Sequence, residues 1–96
     1  MKQKKRWVAS FERLLDDDER SQISDYEKEF SNWVLSVLPK HDEYDNVGEH
    51  TFHISNRIVS VDVEFDHAGP LYPTLVPTLE NWVVVQVRLA RSSGNM

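Results

Sequence analysis

From Val59 onward the chain alternates without a break: Val59, Val61, Val63 and Phe65 interleave with Ser60, Asp62, Glu64 and Asp66. A period of two marks a β-strand with one buried face, because successive side chains point to opposite sides of a sheet. The preceding residues fit the same plan. Phe52 and Ile54 alternate with Thr51, His53 and Ser55, and a two-residue turn at Asn56-Arg57 would set Ile54 opposite Val59 and Phe52 opposite Val61. All four apolar side chains then share one face, so the register is self-consistent. We expect strands over about 50–55 and 58–66, and a third over about 82–90 carried by the run WVVVQVRL. In that third strand the phase with Val83, Val85, Val87 and Leu89 inward keeps Gln86 out of the core. It also brings Trp82 and Val84 out on the face of the acidic residues.

The N-terminal half reads as helical. Trp7, Val8, Phe11, Leu14 and Leu15 fall at helical spacing, as do Ile23, Tyr26, Phe30, Trp33, Val34, Val37 and Leu38. One bent helix or two over about 5–38 would account for both sets, and two are preferred, because Asp16, Asp17, Asp18 and Glu19 would otherwise lie on the apolar face. Acidic residues favour the first turn of a new helix. Asp16 with Glu19, or Ser24 with Glu27, matches a capping box, and Pro39 disfavours helix at Leu38. Residues 39–49 read as a polar connector. The expected fold is α+β: a helical N-terminal half packed on one face of a three-stranded antiparallel sheet.

Ninety-six residues make one domain, with a basic tip over 1–5 and a polar tail over 91–96. Ten aromatic residues and a hydrophobic fraction of 40% are those of a folded chain. No cysteine is present, which excludes disulfides and thiolate metal sites and fits a reducing compartment. No apolar run approaches the ~20 residues of a membrane span, and Met1–Phe11 lacks the apolar stretch of a signal peptide. A cytoplasmic location is the expectation.

Charge is unevenly spread. Lys2, Lys4, Lys5 and Arg6 crowd the start, whereas residues 7–96 hold seven basic and sixteen acidic groups, a net of −9. An acidic body repels nucleic acid and steers association toward basic partners. Asp62, Glu64 and Asp66, spaced ~6.6–6.8 Å apart along one strand face, are the first candidates for a site. Two of them, Asp62 and Glu64, could bridge a Mg²⁺. A restriction-endonuclease-like nuclease would pair them with an acid-x-Lys on the next strand, but Gln86-Val87-Arg88 departs at both positions. His50 and His53 would face opposite sides of a strand, which leaves zinc only a scattered set such as His41, His53 and His67. No nucleophile elbow or phosphate-binding glycine loop is present.

The loop over 67–81 is the second signal. It holds three prolines together with Leu71, Tyr72, Leu75, Val76 and Leu79. A loop of that length is usually functional or disordered, and this one is too apolar for disorder. Leu71 and Tyr72 would either cap the core or meet a partner. These features together point to a small non-enzymatic interaction module without a cofactor. It would bind a basic protein surface as a nucleic-acid mimic does, or inhibit a nucleic-acid-binding machine, and viral anti-defence proteins offer an analogy of size and charge. The contact set would be Asp62, Glu64, Asp66, Trp82 and Val84, with Asp16–Glu19, Leu71 and Tyr72. No direct contact with nucleic acid or membrane is expected. The alternatives are a metal-dependent phosphoryl-transfer subunit using Asp62 and Glu64, and a homodimer formed through the outer sheet face or a strand edge.

Overall fold

The computed structural model describes residues 3–41 and 43–90; Lys2 of the basic tip and the 91–96 tail lie outside them. Four strands form one antiparallel sheet, β1 (Lys5–Leu14), β2 (Phe52–Ser55), β3 (Ile58–His67) and β4 (Val83–Leu89), in the order β2-β3-β1-β4. A 3-10 turn over Asp17–Gln22 runs straight into α1 (Ile23–Ser36), making one bent helical unit. The α+β class and the antiparallel sheet are as the sequence predicts. The strand count is not: there are four, and β1 separates β3 from β4.

The expected helix over 5–14 is this central strand. Trp7, Ala9, Phe11 and Arg13 point to the helical layer, while Arg6, Val8, Ser10 and Glu12 point away. Two residues hide the period. Arg13 faces inward and is buried, with its guanidinium 3.8 Å from the ring centre of Tyr26. Val8 faces outward yet is also buried, flanked in register by the long side chains of Glu64 on β3 and Arg88 on β4. A charged residue inside and an apolar one outside make Trp7, Val8, Phe11, Leu14 and Leu15 imitate a helical stripe.

The β2–β3 hairpin has the expected register, with Phe52 opposite Val61 and Ile54 opposite Val59. Asn56 takes the positive φ of the turn, 59°, a conformation asparagine tolerates better than most residues. Val59, Val61, Val63 and Phe65 are all buried. Beyond β2, the connector continues along the edge of β3: Asp45 exchanges main-chain bonds with Asp66, and the Gly48 N–H reaches the Glu64 carbonyl at 2.7 Å.

Phe30 of α1 lies at the centre of the core. Its ring centre is 5.1 Å from Phe11, 5.7 Å from Trp33, 5.9 Å from Phe52 and 4.5 Å from Trp82. Edge-on and tilted pairs at these spacings each contribute beyond their buried area, roughly 0.5–1.5 kcal/mol. The other end of the sheet is closed by the proline loop and the connector. Leu71 and Val76 are buried there, the Tyr44 ring packs at a tilt against Phe65 and His67, and the Trp7 indole donates to the His67 carbonyl at 3.0 Å. The loop therefore caps the core through Leu71, while Tyr72 and Leu75 remain exposed.

Trp82 and Val84 are the second correction. Both face inward, Trp82 at 2% exposure. A bulge lies between the Ser10–Gln86 and Phe11–Val84 pairings and shifts the phase of β4 by one residue. Val84 and Val87 then both face the core, and Gln86 and Arg88 stay outside. Strict alternation offers no phase that does both, so an extra residue resolves the conflict. Val83 and Val85 are exposed.

Candidate functional site

The three carboxylates of β3 share the outer sheet face as predicted, and each has a donor or cation beside it. Arg6 of β1 donates through Nε to Glu64 and through Nη1 to Asp66, both at 3.0 Å, and also reaches the Asn46 carbonyl at 2.7 Å. Asn46 returns a bond from its amide to Asp66 at 2.7 Å. That amide bond, followed by the Arg6 guanidinium, holds the Asp66 carboxyl below its usual range. Asp62 accepts from the Ser10 hydroxyl at 2.6 Å, and Arg88 reaches over β1 to within 3.5 Å of it. Lys4 pairs with Asp45, so the described part of the basic tip is drawn into the same face, and Lys5 opens β1.

The predicted acidic row is thus a compensated ladder of ion pairs. Exposed pairs of this kind contribute ~0–1 kcal/mol each. Among the described residues no group of three or more His, Asp or Glu side chains is arranged to hold a metal ion. His41 and His67 share a cleft of about 390 Å³ with Tyr44 and the proline loop, whereas His53 borders a different one beside Asp62. Nδ1 of His67 accepts the Gly69 N–H at 2.7 Å.

Trp82, Val84 and Leu71 serve the core, so the contact set expected from the sequence does not come together. The acidic segment 16–19 divides between structure and solvent. Glu19 closes the predicted capping box by accepting the Asp16 N–H at 2.9 Å. Its other oxygen takes the Tyr26 hydroxyl at 3.0 Å and faces Arg13 Nη2 at 3.4 Å. The Asp16 amide is the largest of the influences that hold the Glu19 carboxyl low, with Tyr26 and Arg13 adding to it. Burial, and then the Glu19 bond, push the Tyr26 phenol up. Asp17 pairs with Arg57.

Asp16 and Asp18 are exposed and form no ion pair among the described residues, and the same holds for Asp25 and Glu29 on α1. Asp25 and Glu29 lie one turn apart on one helix face. Over 16–29 there are seven acidic residues against Arg20 and Lys28. A group of acids without ion pairs among the described residues therefore lies on the helical layer, opposite the face the sequence pointed to.

Two constellations were not legible in the sequence. Arg13, Glu19 and Tyr26 meet only because β1 is a strand. Ser31 of α1 and His50 of the connector are bonded at 2.9 Å, with His50 packed edge-on against Phe30 and Phe52. The second contact ties the connector to the helix, and the spacing of nineteen residues carries no signal for it.

No protein-family model, curated protein or solved structure matches this chain.

No helix among the described residues is long and apolar enough to cross a membrane.

Proposed function

We propose that the chain is a small, non-enzymatic interaction module that binds a basic protein surface, in the manner of a nucleic-acid mimic or an inhibitor of a nucleic-acid-binding protein. One observation carries this reading. Asp16, Asp18, Asp25 and Glu29 are exposed on the helical layer with no cationic partner among the described residues, while Asp62, Glu64 and Asp66 of the sheet face are tied to Arg6 and Arg88. Like charges held together without compensation raise the local potential and the rate of encounter with a cation-rich surface. The metal-dependent alternative gains no support from the site, because Asp62 and Glu64 are already engaged by Ser10, Arg88 and Arg6.

The test is capture of a folded basic protein such as lysozyme at low ionic strength. Reversing the four helical-layer charges (D16K, D18K, D25K, E29K) is expected to abolish capture while circular dichroism stays unchanged. Equal capture by parent and variant would remove the reading.

A further inference from the structure

The two edges of the sheet are not alike. At the β2 edge the strand has four residues, and the connector covers what β3 leaves open. At the other edge, β4 has seven residues and pairs on one side alone among the described residues. Ala90 donates to the Arg6 carbonyl at 2.8 Å, and the pairing alternates from there. Antiparallel geometry then turns the N–H and C=O groups of Val87 and Leu89 away from β1, to the side on which no strand pairs among the described residues. Sheet edges are ordinarily blunted by lysine, proline or a covering segment. β4 contains no lysine or proline, and Val83, Val85 and Leu89 are exposed along it.

The edge also has a step. The last β1–β4 pair is Glu12 with Val83, whereas β1 continues to Leu14 against β3. Arg13 and Leu14 therefore have no strand partner on that side among the described residues. A cleft of about 360 Å³ occupies the step, lined by Glu12, Arg13, Leu14, Asp16, Glu19 and Val83 among others. Leu14 is 70% exposed. Arg13 is buried with Nε lacking an acceptor, and it already faces Glu19. Glu12 and Asp16 are left without a cation among the described residues.

We propose that β4 and this step receive an extended basic segment of the partner, added to the sheet as a fifth strand with a lysine or arginine seated between Glu12 and Asp16. Strand addition derives affinity from main-chain bonds and selectivity from alternate side chains, and the acidic step selects for positive charge. The inference rests on the functional reading above and gives it a place and a binding mode. A second copy of this chain is the less suitable occupant, because residues 7–96 of each copy carry a net of −9.

The probe is the capped peptide KTVTVTK, titrated by fluorescence anisotropy, with ETVTVTE as its charge-reversed control. We expect KTVTVTK to bind, and to move the amide resonances of Val87 and Leu89, while ETVTVTE does not bind. Val85→Lys, at an exposed position, and the double change Glu12→Gln with Asp16→Asn are each expected to weaken binding at least tenfold. Equal binding of KTVTVTK by Val85→Lys, or lysozyme capture without any peptide binding, would overturn strand addition and leave the acidic-module reading standing. Failure of both the peptide and lysozyme to bind would remove both. A concentration-dependent dimer abolished by Val85→Lys would assign the edge to a second copy and overturn the peptide occupant.

Discussion

Glu19 gathers three groups: the Asp16 amide, the Tyr26 hydroxyl and the Arg13 guanidinium. Because these favour its ionised form, its pKa in the fold lies below the ordinary value of 4.5. Stability from such a group is fully present above the unfolded pKa and is lost as pH falls through the folded one. Asp66, held low by Asn46 and Arg6, acts in the same direction. Thermal midpoints followed from neutral pH down into the carboxylate range should therefore fall, and Glu19→Gln should make that fall shallower. An unchanged acid limb in the variant would show that Glu19 is not held low. Gly69 gives a second residue-scale test. Its φ is +67°, and a Cβ there would lie 2.6 Å from Cζ2 of Trp7. Gly69→Ala combines backbone strain with a clash against a ring fixed by its bond to His67, and should destabilise by about 2 kcal/mol in denaturant titration. At the core centre, Phe30→Ala removes five ring contacts, to Phe11, Trp33, His50, Phe52 and Trp82, and should cost about 3–5 kcal/mol.

At the scale of elements, the bulge in β4 makes a sharp contrast between neighbours. Val84 faces the core and Val85 faces solvent. Val84→Asp should lower the thermal midpoint strongly or prevent folding, whereas Val85→Asp should leave it within a few degrees of the parent. Strict alternation with Val85 inward would give the opposite order. The same comparison separates what the sequence reveals from what it hides. Register in the β2–β3 hairpin is legible because from Val59 to Asp66 every inward residue of β3 is apolar and every outward one polar. In β1 the inward Arg13 and outward Val8 break that correspondence, and a bulge in β4 leaves no trace in composition. Asp16–Glu19 is legible as a helix start because capping is a local interaction. The meeting of Arg13 with Tyr26 and of Ser31 with His50 is set by topology, which local patterns do not carry.

For the whole molecule, the distribution of compensated and free charge decides where a partner can sit. On the sheet face, Arg6 and Arg88 offset Glu64, Asp66 and Asp62, so neutralising Asp62 and Glu64 should change stability and binding little. On the helical layer Asp16, Asp18, Asp25 and Glu29 have no such partners among the described residues, and under the proposed reading a basic protein would gain most by approaching there. The most direct measurement is an amide chemical-shift map of the parent protein during titration with lysozyme at low ionic strength. The account predicts saturable shifts at Asp16, Asp18, Asp25 and Glu29 that fade as salt screens the charges, with Asp62 and Glu64 unmoved. Shifts centred on Asp62 and Glu64, or none at any acidic position, would contradict it.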